Sequence, residues 1–196
     1  MFFALTFFDF LLKTFKLGAG EKVLHFLGFN CLKSVFFYDS VNLQVYTLKL
    51  FTELTILSAH LMKAICEDIS FLNSILAAAV NQNRKISKHA TLLLTILSIK
   101  SDKNTATILL NNGILQLFYN QTKKQQKKII ISQIIEACIS LIEVYEFEGE
   151  KMIQNLVVES ILNTGLCQKL EMVCNFWDEN RVERITELKS LCNFIE

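Results

Sequence analysis

Leu54-Thr55-Ile56-Leu57-Ser58 and Leu94-Thr95-Ile96-Leu97-Ser98 are the same five residues, LTILS, met twice at a spacing of 40 residues, each time near the end of a helix-like apolar segment. Self-similarity at that period is the mark of stacked helical repeats. Carried forward in register, Leu54 and Leu94 lead to Leu141 in ACISL and to Leu188 in ITEL, at steps of 40, 47 and 47 residues. A second landmark keeps time with the first. Gly113 in ILLNNGILQLF and Gly165 in SILNTGLCQKL hold the same place in two similar strings, and Gly28-Phe29 and Asp68-Ile69 fill that place earlier, at steps of 40, 45 and 52. Linkers of varying length between helices of fixed order explain the drift.

The composition fits an all-α chain. Across 196 residues there is no proline and there are only six glycines, so nothing interrupts a helix by ring constraint. Residues of the AVILMFWYC set make up 52% of the chain against 20% charged, with sixteen Phe, so part of this apolar surface is expected to face a partner rather than water. The length allows one or at most two ordinary domains.

Within one unit the pattern predicts three helices. A short helix over Thr105–Asn111 ends at Asn112-Gly113, where left-handed dihedrals permit a sharp turn. A second helix buries Ile114, Leu115, Leu117 and Phe118, and a polar loop is expected from Asn120 to Gln126. A long third helix over Lys127–Tyr145 carries Ile131, Ile134, Ile135, Cys138, Leu141 and Ile142 at the three-and-four spacing of an amphipathic stripe.

Short helix, glycine turn, second helix and long third helix resemble the armadillo repeat family, with HEAT-type helical pairs a close alternative. The best match runs from His89 to Phe118: Ala90, Leu94 and Leu97 follow the family's third-helix pattern, Ser98 its small residue, and Asn112-Gly113-Ile114 the turn of the next unit. The resemblance implies a single domain over residues 1–196, a right-handed α-solenoid of about four three-helix repeats spanning 20–58, 59–100, 101–148 and 149–196. Residues 1–17, MFFALTFFDFLLKTFKL, are left as the third helix of a partial repeat. Stacks normally end in a polar cap, so an apolar Met1–Leu12 implies self-association or continuation into a longer array. Neither a signal peptide nor a membrane span is expected there: no basic residue precedes the apolar run, and Asp9 and Lys13 break it.

Reactive chemistry is sparse. Cys31, Cys66, Cys138, Cys167, Cys174 and Cys192 are scattered through apolar segments without the spacing of a disulfide scaffold, and are expected as small core residues in a reducing compartment, cytoplasmic or nuclear. His25, His60 and His89 lack a second ligand three or four residues away, so no metal site and no cofactor is expected. Gly18 and Gly20 lack the third glycine of a dinucleotide loop, and no serine motif resembles a nucleophile elbow. Acidic pairs such as Glu67-Asp68 fall where carboxylates serve the next helix's N-terminus. The chain is therefore not expected to be an enzyme.

Repeat proteins bind through equivalent positions on successive third helices. Importin-type armadillo proteins place a Trp and, four residues on, an Asn there. The register puts Thr52 and Ile56, Leu92 and Ile96, Ile139 and Glu143, and Thr186 and Ser190 at those positions. The amide that would clamp an extended peptide backbone is missing at every unit. Leu92, Ile96 and Ile139 instead predict an apolar strip suited to a partner helix, while a register one residue off, a rotation of 100°, would make the same residues inter-helix core. A second surface is basic: Arg84, Lys85 and Lys88 before and inside one third helix, and Lys123, Lys124, Lys127 and Lys128 in the corresponding region of the next unit. An acidic partner or nucleic acid is the alternative these imply, although a net charge of +1 and Phe not interleaved with the basic residues argue against nucleic acid. The expected function is that of a non-catalytic protein-protein interaction scaffold holding a partner helix or peptide on the concave third-helix surface.

Overall fold

Short polar residues punctuate the apolar runs of this chain, and several helices begin on them. The structure is a computed structural model, and it describes residues 28–124, 128–147, 151–174 and 179–193. The expected helix over 1–17, the Met1–Leu12 surface, Gly18, Gly20, His25 and Lys127 lie outside the described residues. Among the described residues there are eleven α-helices and no strand. None of these helices is long and apolar enough to cross a membrane. Contacts divide the chain into two units, residues 1–96 and 97–196.

The first unit holds α1 (Phe29–Phe36), α2 (Val41–Leu57), α3 (Ala59–Glu67), α4 (Ile69–Ala79) and all but the last three residues of α5 (Arg84–Ile99). Ser58 closes α2 in extended backbone and opens α3, its side chain accepting from the Leu61 N–H at 3.3 Å. Asp68 opens α4 in the same way, accepting from the Phe71 N–H at 3.0 Å, and Asn83 accepts from the Lys85 N–H at 3.0 Å at the start of α5. Asp68 also pairs with Lys33 of α1, and both effects, with Lys33 first, hold its carboxyl below the ordinary range.

Phe71 is the centre of this unit's core. Its ring meets those of Phe29, Phe36, Phe37 and Phe51 at centroid distances of 5.6, 5.5, 6.1 and 5.3 Å, in edge-on or tilted geometry. Buried hydroxyls cost little here because each finds a nearby carbonyl. Thr47, Thr55 and Thr91 donate to the carbonyls of Leu43, Phe51 and Ser87 within their own helices, and Ser87 donates to Ala79 O at 2.5 Å, fastening α5 to the end of α4.

The second unit holds α6 (Lys103–Asn111), α7 (Ile114–Lys124), α8 (Lys128–Phe147), α9 (Lys151–Asn163), α10 (Leu166–Cys174) and α11 (Glu179–Asn193). The turns between α6 and α7 and between α9 and α10 match bond for bond. Asn112 N–H donates to Ile108 O and Thr164 N–H to Ser160 O, both at 3.1 Å, while Gly113 and Gly165 N–H donate to Leu110 O and Leu162 O at 3.0 and 2.9 Å. Gly113 and Gly165 take φ of 77° and 69°, a region that side chains with a Cβ avoid.

Helix α8 is the hub. It packs against α6, α7, α9 and α11, while α10 packs against α7, α9 and α11. The whole predicted stripe of α8, from Ile131 to Ile142, is at most 1% exposed. So are Ile130, Ala137 and Ile139, because a helix packed on by four others is covered on more than one face.

The leucines of the first landmark are buried, and the residues of the second open helices. Leu54, Leu94, Leu141 and Leu188 are each at most 1% exposed. Gly28, Asp68, Gly113 and Gly165 each open a helix whose fourth residue on, Leu32, Leu72, Leu117 or Lys169, donates its N–H back to that carbonyl at 3.4, 2.9, 3.1 and 3.1 Å. Two local expectations change. The polar loop expected from Asn120 is helix as far as Lys124, because Gln121 and Thr122 are buried rather than solvated and Thr122 donates back to Tyr119 O at 2.7 Å. The two LTILS strings also part company. Ser58 ends α2, whereas Ser98 stays inside α5 and is fully buried, since the capping role passes downstream to Asp102, which accepts from the Thr105 N–H at 2.9 Å.

Candidate functional site

The residues predicted to line a groove are placed unit by unit. In the first unit, Ile56 is 48% exposed near the end of α2, one turn beyond a half-buried Thr52 whose hydroxyl donates to Leu48 O at 2.8 Å. Leu92 and Ile96 are half-buried on α5, one turn apart. These four are open enough to be touched. In the second unit Glu143, Thr186 and Ser190 are exposed, and Thr186 donates to Val182 O at 2.8 Å. Ile139 is 1% exposed, so at that position the apolar strip gives way to core for the reason already seen in α8.

The basic residues are placed in the same way. Arg84 and Lys85 are exposed and Lys88 is half-buried in the first two turns of α5. In the second unit Lys123 and Lys128 are exposed, and the Lys123 ammonium sits 4.2 Å from the Tyr119 ring centroid, a cation–π contact that gives this charge a partner of its own. Lys124 ends α7.

A cleft that the sequence pattern did not announce opens in the second unit beside the Gly113 turn. It holds about 380 Å³, within the range of ordinary ligand pockets. Leu110, Leu115, Leu156 and Val157 form aliphatic walls, and Thr107, Tyr145, Ser160 and Thr164 bring hydroxyls to them. The Tyr145 hydroxyl lies 2.8 Å from Thr107 Oγ1, and Thr107 in turn bonds Lys103 O at 2.8 Å, so Tyr145 donates into a chain ending on the α6 backbone. Among the described residues, no His, Cys, Asp, Glu, Lys or Arg lines the cleft. The lining described offers apolar contact with a few hydroxyl anchors.

Metal-ligating geometry is not present among the described residues: no group of three or more His, Cys, Asp or Glu side chains converges as ligands would. Five of the six cysteines are buried as expected, while Cys31 on α1 is exposed.

No protein-family model matches the chain, and no curated protein matches it. The observations above define an all-α chain of short helices packed against their neighbours, and the armadillo resemblance rests on the residues that carry it.

Proposed function

We propose that the chain is a non-catalytic protein-interaction scaffold, an armadillo-like right-handed solenoid of about four three-helix repeats working in the cytoplasm or nucleus. The observation that supports it is the left-handed backbone repeated at Gly28, Gly113 and Gly165, with φ of 70°, 77° and 69°, each opening a helix, alongside the buried leucines Leu54, Leu94, Leu141 and Leu188. A module of that size cannot bury its apolar face alone, so modules stack and present equivalent faces in a row.

The proposed partner surface in the first unit is Ile56 and Thr52 on α2 with Leu92 and Ile96 on α5, exposed or half-buried side chains suited to one face of a partner helix. In the second unit Glu143, Thr186 and Ser190 offer polar contacts. A preformed surface leaves most of the ordering cost with the partner segment, which favours selective but reversible capture.

Capture of partners by the intact chain, compared with Ile96→Glu, tests the reading. The variant is expected to lose the captured protein while its circular dichroism stays helical. Unchanged capture, or a variant that unfolds because this side of α5 is core, overturns it. Salt separates the second reading, an acidic or nucleic-acid partner held by the exposed Arg84 and Lys85 with Lys88. Apolar capture survives raised salt, whereas binding through phosphate contacts falls steeply with it.

A further inference from the structure

The cleft beside the Gly113 turn draws its walls from α6, α7, α8 and α9, all within the second unit. It shares no residue with the partner surface proposed above. Leu115 and Val157 are 6% and 3% exposed, so the inner aliphatic wall is anchored in the core, whereas Leu156 stands 52% exposed at the edge. A guest that covers Leu156 removes apolar surface from water without any rearrangement of that wall. The volume of about 380 Å³ is roughly two and a half times the ~150 Å³ that holds benzene in a cavity lined by apolar side chains, which scales to a body of about fifteen non-hydrogen atoms.

The polar groups of the lining set the polarity of the guest. Thr107 donates its proton to Lys103 O at 2.8 Å, and Thr164 donates its proton to Ile161 O at 3.0 Å. A hydroxyl has one proton and two lone pairs, so towards a guest both threonines act as acceptors. The exposed side chains of Asn111, Gln116 and Ser160 can turn either way. An anion would meet the threonine lone pairs with no cation among the described lining, and a cation would lose water against Leu115 and Val157 with no carboxylate there to replace it.

We propose that this cleft binds a small neutral amphiphile, a rigid aromatic or alicyclic body carrying a hydroxyl that donates to Thr107 or Thr164. The body lies against Leu110, Leu115, Leu156 and Val157. Rigidity matters because the walls are already fixed: Tyr145 is fully buried on α8 and its hydroxyl is tied at 2.8 Å to Thr107 on α6. A stiff guest entering a preformed site gives up little conformational freedom, whereas a flexible chain of the same size gives up more. Small-molecule binding here is a property separate from partner capture on α2 and α5.

The test titrates 4-phenylphenol, a neutral biphenyl with one hydroxyl, into the full chain carrying isotope-labelled Leu and Val methyl groups, read by NMR. Saturable shifts are expected at Leu110, Leu115, Leu156 and Val157, with Leu54 and Leu94 of the first unit unmoved. 4-Methoxybiphenyl keeps the body and the oxygen but lacks the donor, and should bind about two- to tenfold more weakly. Biphenyl-4-carboxylate should give no saturable shift. Leu156→Glu puts a charge on the wall and Ser160→Phe fills the space, both at exposed positions of α9, and each should weaken 4-phenylphenol binding by about tenfold or more while circular dichroism stays helical. Should Leu156→Glu fail to fold, Ser160→Phe and the methyl map carry the test. No saturable shift, shifts centred away from the cleft, equal binding of the ether or the carboxylate, or undiminished binding by the folded variants overturns the proposal.

Discussion

Replacing Gly113 by alanine isolates backbone strain from crowding. A Cβ built at Gly113 meets nothing within 4 Å, so the side chain itself fits, and the cost comes from φ of 77°. Holding an L-residue in the left-handed region costs about 1–2 kcal/mol. Alanine also restricts the unfolded chain, which returns about 0.4–1 kcal/mol. The net loss is about 1 kcal/mol, and with a urea dependence of about 2 kcal/mol per molar the midpoint should fall by roughly 0.5 M. Urea unfolding followed by circular dichroism measures it. Gly113→Asn provides the control, because asparagine tolerates the left-handed region and should lose less. At Gly165 the new Cβ would meet Gln168 Oε1 at 3.8 Å and Tyr119 Cε2 at 4.0 Å, ordinary contacts, so Gly165→Ala should behave like Gly113→Ala. A midpoint that stays put or rises for both alanine variants would refute the reasoning, since the turn would then not require this backbone.

Other outcomes follow from contrasts within the chain. The fourth residue of LTILS is 49% exposed as Leu57 and fully buried as Leu97, so Leu97→Ala should cost about 2–5 kcal/mol in denaturant unfolding and Leu57→Ala less than about 1 kcal/mol. Equal losses would mean that the two strings share one environment. The Asp68 carboxyl is held low by Lys33 and by the Phe71 N–H, so its stabilisation is complete above the unfolded carboxylate value of about 3.9 and disappears as pH falls through the lower folded value. Asp68→Asn retains a good helix cap without the charge, and its urea midpoint should drop less than that of the native chain between pH 5 and pH 3. Parallel pH profiles would remove Asp68 from the acid-sensitive set.

Much of the fold was legible because it is local. Asp68 sits at the N-terminus of α4 where an acidic residue before an apolar run belongs, and Gly113 turns where a residue free to take positive φ belongs. The α8 stripe was read correctly from its three-and-four spacing, yet the spacing could not say that Ile139 would be covered as well. Periodicity reports one buried face, whereas α8 carries neighbours on several. The polar composition of Asn120–Lys124 misled in the other direction, since Gln121 and Thr122 are enclosed. The cleft at Thr107 and Tyr145 draws on α6, α7, α8 and α9 together, with no run of residues to announce it.

Helical content, the places where helices start, and the rhythm of buried leucines were determined by the amino-acid order alone, because dihedral limits, end-capping and a 3.6-residue period act over a few neighbouring residues. Tertiary packing decided what became of chemically identical pieces. Leu57 meets water and Leu97 does not, and Ile139 is covered because α8 has neighbours on several sides. Burial depends on what lies across the gap from a side chain, and that neighbour comes from another helix.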